Sequence, residues 1–184
     1  MAANKSSSLM RVLSDGLTGY LAYESRCGMN EAYSEYFLYS PIVRIANHRV
    51  WRVEAEWPYL RGKAGRKQTV GDHKRIDFLF RLPSDLDSTD SPWLALEVKW
   101  IRRGTKRLNV KNDIDKLTEA IDLYQDKKLR AFLLIAGSHQ IDETGKARLT
   151  VNLTGISNNT TRLFSTCYQA SMSTLYGVTV YEIK

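Results

Sequence analysis

Three stretches between residues 50 and 101 alternate apolar and polar residues with period two, and this limits the fold more than any other feature. From Val50 to Trp57 the apolar set is Trp51, Val53, Ala55 and Trp57, set between Arg52, Glu54 and Glu56. From Arg75 to Leu82 it is Ile76, Phe78, Phe80 and Leu82, and from Trp93 to Ile101 it is Leu94, Leu96, Val98 and Trp100. Successive side chains of a strand point to opposite faces, so each stretch predicts a strand with one face in a core. The Asp- and Ser-rich segment Pro83 to Pro92 predicts a turn between the last two. Strands this close in sequence form an antiparallel meander.

The flanks carry helical spacing. Leu9, Leu13, Leu17 and Leu21 recur behind a capping Ser7-Ser8 pair, and a break follows at Cys27-Gly28. Asn30 is placed to cap a second helix with Leu38, Ile42 and Ile45 on its stripe, kinked or divided at Pro41. After the third strand, Val110, Ile114, Leu117, Ile121 and Tyr124 mark one helix face. The apolar run Ala131 to Ala136, ended by Gly137, predicts a fully buried strand. Asn159 to Tyr176 is expected to be a helix and Gly177 to Ile183 a final strand. The crossover helix makes the fourth strand parallel to a neighbour, so the expected α/β fold is a mixed sheet with helices on its faces. At 184 residues the chain is read as one domain, 1–184. That is long enough to bury a core without disulfides.

Composition excludes several classes. Two cysteines, Cys27 and Cys167, are too few for a disulfide framework, and His48, His73 and His139 stand apart from any zinc spacing. The segment Met1 to Ser8 lacks the apolar stretch of a signal peptide, and no run is long enough to span a bilayer, so a cytoplasmic protein with no membrane partner is expected. A net charge of +7 points towards nucleic acid as partner.

Strand alternation also places the charges. Asp77 falls opposite Ile76 and Phe78, while Glu97 and Lys99 fall together opposite Leu96, Val98 and Trp100. The three converge on one face of adjacent strands. Two carboxylates beside a lysine in mid-strand are costly unless paired or bound to a metal. Mg²⁺ meets that need with one or two carboxylates, waters and substrate phosphate. Asp77 and Glu97 would supply oxygens, and the backbone carbonyl of Val98 could add another. Lys99 would position or deprotonate a metal-bound water, with a pKa expected to be pushed down beside the cation.

Asp77, nineteen intervening residues and then Glu97-Val98-Lys99 resemble the signature of the PD-(D/E)XK nuclease superfamily. Ile76 stands where the full motif has proline, so the aspartate and the Glu-x-Lys carry the resemblance. It covers a core of about residues 30–136, with a helical N-terminal extension and a C-terminal helix–strand addition. It implies a restriction-endonuclease-like mixed sheet with core order α-β-β-β-α-β. It also implies Mg²⁺-dependent hydrolysis of phosphodiester bonds in DNA, with Mn²⁺ able to substitute. The family often adds a glutamate from the helix before the sheet. Glu35, three residues before Leu38 and seven before Ile42, suits that role, with Glu31 and Glu56 as alternatives. Lys116 resembles a basic residue that some members hold near the scissile phosphate. A homodimer is a further implication, because cutting both strands takes two sites.

Basic residues flank the expected site. Arg61, Lys63, Arg66 and Lys67 precede the Asp77 strand, with Lys74 and Arg75 at its start; Arg102, Arg103, Lys106, Arg107 and Lys111 follow Lys99. There they would grip duplex or branched DNA by its phosphates, positioning it without reading its sequence. Asp113 and Asp115 fit the dipole of a helix first turn, and the four tryptophans fit core or edge packing. Two other readings stand beside the endonuclease: a catalytically inactive nucleic-acid-binding or regulatory protein that keeps the fold, and a protein-interaction module whose charge is incidental.

Overall fold

The computed structural model describes residues 2–29, 34–59, 74–83, 92–102, 104–171 and 174–184. Helices α1 (Ala2–Arg26) and α2 (Glu35–His48) precede strands β1 (Arg52–Pro58), β2 (Arg75–Arg81) and β3 (Leu94–Ile101). The short strand β4 (Arg107–Asn109) then leads into α3 (Lys111–Leu123) and β5 (Arg130–Ile141). Strands β6 (Ala147–Leu149), β7 (Asn152–Thr154), β8 (Thr160–Ser171) and β9 (Thr174–Ile183) complete the chain.

The main sheet runs β1-β2-β3-β5-β9-β8, with β6 added to β5 and a separate β4–β7 pair. The meander is antiparallel as expected. The crossover through α3 sets β3 and β5 parallel, while β5–β9 and β8–β9 are antiparallel. The result is a mixed α/β architecture: an open, mostly antiparallel sheet flanked by three helices.

Both sheet faces are covered, in keeping with the helices expected on them, although alternation in the first three strands alone predicted one. On one face Leu9, Leu13, Leu17 and Leu21 of α1 and Leu38 and Ile42 of α2 meet Phe78, Phe80, Leu96 and Val98. On the other, Ile114 and Leu117 of α3 meet Leu79, Ala95, Leu133 and Ile135. Alanine at 95 and leucine at 79 and 133 are apolar enough to sit under a helix, so Glu97 of β3 lies within a covered face.

The alternation also changes phase. Val53 packs on the α1–α2 side but Trp57 on the α3 side; Phe78 and Ile76 divide in the same way. The switch occurs where Glu56 faces Asp77. The ladder pairs Ala55 with Phe78 and Trp57 with Ile76 and skips the pair between them. Glu56 there has φ 54°, a left-handed backbone that a side chain with a Cβ adopts only under strain.

The expected helix over Asn159 to Tyr176 is instead β8 and the start of β9. Thr160, Thr161, Phe164, Thr166 and Tyr168 are β-branched or aromatic, and they gain a partner strand in β9, which occupies the free edge of β5. Helix α1 lies on this hairpin, and two of its buried hydroxyls, Ser14 and Thr18, close on it. Ser14 Oγ is 2.8 Å and Thr18 Oγ1 2.9 Å from Thr166 Oγ1. Strand β5 does not stop at Gly137 but continues to Ile141. Gly137 has φ 144°, and a Cβ there would stand 2.5 Å from the Ile101 carbonyl oxygen, so glycine serves close strand approach.

Helix α2 begins at Glu35, with Ser34 at the cap position, and contains Pro41 without dividing. Asn30 and Glu31 lie outside the described residues, as does most of the expected turn, 84–91. Trp51 and Trp57 are buried, and Arg81 lies 5.2 Å over the Trp93 ring, in keeping with packing roles. No helix among the described residues is long and apolar enough to cross a membrane.

Candidate active site

The last β2–β3 ladder pair is Phe78 with Leu96, whereas β3 stays paired with β5 as far as Ile101. Strands β2 and β3 therefore part at Asp77, opening a gap towards the carboxyl end of the parallel pair, where ligands collect in open α/β sheets.

Side chains bridge that gap. Val98 N–H donates to Asp77 Oδ2 at 2.7 Å, and Asp77 N–H donates to Glu97 Oε1 at 3.1 Å. Each carboxylate takes a backbone donor that a continuing ladder would have given to a carbonyl. In an extended residue the N–H and C=O point to the same side, so the Val98 carbonyl also faces the gap.

Two lysines complete the centre. Lys116 Nζ lies 2.7 Å from Glu97 Oε1. Lys99 Nζ lies 3.3 Å from Asp113 Oδ1 and 3.6 Å from Glu35 Oε1. Of the residues expected from sequence, Asp77, Glu97 and Val98 thus form one cluster, and Lys99 and Glu35 form a second beside it. Glu35 meets the lysine, not the carboxylates. Lys116, expected among the phosphate contacts, is paired with Glu97 in the metal-free chain.

Three residues of the centre were not singled out as site residues by sequence. Tyr39 Oη is 2.7 Å from Asp77 Oδ1 and 2.9 Å from Glu56 Oε1. One hydroxyl hydrogen serves two carboxylates there, so one contact lacks a donor. Tyr39 lies one helical turn after Glu35, the signal that would have found it. Glu56, weighed only as an alternative ligand, is drawn in through the same hydroxyl. Asp113, read as a dipole residue, is the nearer partner of Lys99.

The electrostatics follow from burial. Glu97 is 1% exposed. Desolvation, and then the nearby Asp77 charge, push its pKa up to about 7, although Lys116 pulls the other way. Burial alone would lower the Lys99 pKa, but Asp113 and Glu35 outweigh it and the net shift is upward. As the side chains stand without a cation, Lys99 is an ammonium; the downward shift expected from sequence belongs to the cation-loaded site. Burial first, then Asp77 and Glu56, raise the Tyr39 phenol far above its usual range.

The donor set suits a hard divalent cation. Asp77, Glu97 and the Val98 carbonyl are all oxygen donors. Among the described residues no three His, Cys, Asp or Glu side chains are grouped to hold a metal by themselves, so an ion here would keep several waters, as Mg²⁺ does. The raised Glu97 pKa marks a place where more positive charge would be stabilising.

No protein-family model, curated protein or solved structure matches the chain.

Around the centre, Lys74, Arg75, Arg102, Lys106 and Arg107 are exposed, with Lys74 held 3.0 Å from Glu119. Lys63, Arg66, Lys67 and Arg103 lie outside the described residues.

Proposed function

We propose that the chain is a Mg²⁺-dependent endonuclease that hydrolyses phosphodiester bonds in DNA on a restriction-endonuclease-like core. One observation carries this reading: Asp77 and Glu97 clasp each other's strands where β2 and β3 part, with Lys99 and Lys116 beside them. Among the described residues the chain order α2-β1-β2-β3-α3-β5, with β4 and a short 3-10 turn at Gln125–Lys127 as additions, supports it.

Asp77, Glu97 and the Val98 carbonyl would hold the cation. When bound, Mg²⁺ supplies a Lewis acid for phosphoryl oxygen and lowers the pKa of water. In hydrolysis the water oxygen bonds to phosphorus as the bridging P–O bond breaks; water gives up a proton and the leaving alkoxide gains one. Lys99, kept charged by Asp113 and Glu35, donates to a non-bridging oxygen and offsets the charge that builds there. Lys116 is within reach of the same phosphate once it leaves Glu97. The exposed basic residues grip the flanking phosphates. A homodimer would bring two such centres to one duplex.

A second reading also has its own observation. Lys116 lies 2.7 Å from Glu97, where an ammonium would serve in place of a cation. A DNA-binding protein that keeps this architecture without catalysis would look the same.

Cleavage of supercoiled plasmid and of branched and single-stranded DNA separates the two, assayed with Mg²⁺, Mn²⁺ or EDTA. The nuclease cuts only with metal, and Lys99→Ala loses at least about 100-fold while still binding DNA. Full activity in Lys99→Ala overturns this assignment. Salt-sensitive binding without cutting by the wild-type chain selects the second reading.

A further inference from the structure

Tyr36 is 76% exposed, the most exposed large aromatic or apolar side chain among the described residues. It sits between two residues of the centre: it follows Glu35, which meets Lys99, and precedes Tyr39, which meets Asp77, by one helical turn. Its ring centroid is 5.3 Å from that of Tyr39, whose ring packs edge-on against Phe78 at 4.5 Å. Phe78 is fully buried. Three rings therefore run from the core to solvent, and the middle one carries the hydroxyl that meets Asp77. The outermost is supported from beneath and open above.

Among the described residues no side chain packs on the open side of Tyr36, and exposing an aromatic of this size costs hydration free energy. Beside a centre built for phosphate, with cations at its rim, the matching ligand surface is the face of a nucleobase. Base–aromatic stacking is tolerant of sequence and needs one free π-face on each partner. A fully paired duplex buries its base faces within its own stack and offers none.

Resting on the nuclease reading above, we infer that Tyr36 is a base-stacking platform and that the substrate is DNA with an unpaired base beside the bond to be cut. Forks, flaps, gaps and single strands present such a base. Stacking there fixes the register of the strand, and the ring chain through Tyr39 keeps the platform at a set height over Asp77.

The test is binding, read without cleavage, in the Lys99→Ala protein. A single-stranded oligonucleotide and a gapped duplex, each with 2-aminopurine in the unpaired segment, are compared with a fully paired duplex. Fluorescence is quenched on binding and affinity is titrated at low salt. Tyr36→Ala weakens the unpaired probes about tenfold and abolishes the quenching. Tyr36→Phe and Tyr36→Trp retain both, and the paired duplex changes less than about twofold. Tyr168→Ala, which removes another exposed tyrosine, on β8, leaves all three probes unchanged. Equal loss on paired and unpaired probes, or full quenching in Tyr36→Ala, overturns the platform and leaves the nuclease reading intact. Absence of any DNA binding at low salt overturns both.

Discussion

Asp77 and Glu97 are joined through the backbone: the Asp77 side chain accepts the N–H of the residue after Glu97, and the Glu97 side chain accepts the N–H of Asp77 itself. The same carboxylates thus end a sheet ladder and form the candidate centre, so their two duties separate by substitution. Asp77→Asn keeps an oxygen for Val98 N–H and melts near the wild type. Asp77→Ala orphans that donor and loses about 1–3 kcal/mol. Both variants lose metal-dependent cleavage. Thermal unfolding beside plasmid cleavage checks this; an active Asp77→Asn would remove the carboxylate's chemical role.

Cation affinity is expected to follow the protonation of Glu97. Its pKa of about 7 lies above the ordinary 4.5. The folded metal-free chain therefore holds a proton that the unfolded chain has released. That contribution to stability is full below pH 4.5 and is lost as pH rises through about 7. A cation competes for the same oxygens, so Mn²⁺ affinity falls about tenfold per unit below pH 7 and levels off above it. Calorimetry in buffers of differing ionisation enthalpy reads the released proton. A flat profile between pH 5 and 8 would dissociate Glu97 from the site.

Asp113 should be a positioning residue for Lys99. Asp113→Asn removes the nearer of its two carboxylate partners, so the Lys99 pKa falls; Glu35→Gln does the same more weakly because its contact is longer. Nitrogen-detected NMR of the lysine side chain follows the titration. An unchanged Lys99 resonance in Asp113→Asn would show that the ion pair does not set its charge.

Strain at Glu56 makes a prediction of opposite sign for stability and function. Glu56→Gly relieves the left-handed backbone at φ 54° and stabilises the fold by about 1 kcal/mol. It also removes the carboxylate that shares Tyr39 Oη with Asp77, and cation affinity falls. Denaturant unfolding and Mn²⁺ titration measure the two effects. A destabilised Glu56→Gly would mean that the carboxylate's contacts outweigh the strain.

Far from the centre, His139 should govern the acid limb of stability. It is buried, with Nδ1 3.0 Å from the Gly137 carbonyl and Nε2 3.0 Å from Thr179 Oγ1. A carbonyl only accepts, so Nδ1 carries the hydrogen and Nε2 accepts from the threonine. Burial lowers the pKa from 6.5 to about 4. The unfolded chain then binds the extra proton, so stability is complete above pH 6.5 and falls on acidification, by on the order of 3 kcal/mol by pH 4. His139→Gln flattens that slope in urea melts; an unaltered slope would locate the acid sensitivity elsewhere.

Much of this was legible in the sequence because the strands announce themselves. Leu96 and Val98 against Glu97 and Lys99 locate the charges of β3 to the residue, and Phe78 and Phe80 fix the face of β2 as far as the switch at Asp77. Alternation could not reveal that the second face is also covered, since Ala95 and Leu79 read equally well as neutral positions on a solvated face. It could not show the phase switch at Glu56, which depends on one backbone angle. Tyr39 and Asp113 were hidden because each looks ordinary on its own helix and gains its role only across the gap. The C-terminal hairpin was misread because Leu163, Phe164 and Tyr168 approximate helical spacing, whereas the pairing that decides the matter is with a strand formed later in the chain.

The packing of α1 on the β8–β9 hairpin has a consequence for how the chain is made. The leucine stripe of α1 emerges early from the ribosome, while the hydroxyl that meets Ser14 and Thr18 belongs to Thr166. Strand β9, which that hairpin brings into the sheet beside β5, is made later still. At ordinary synthesis rates of about 5–20 residues per second, the helix waits many seconds with the side that meets the hairpin uncovered. Closure of the fold is therefore a long-range event, and until Thr166 is made the nascent chain presents part of an amphipathic helix suited to chaperone capture.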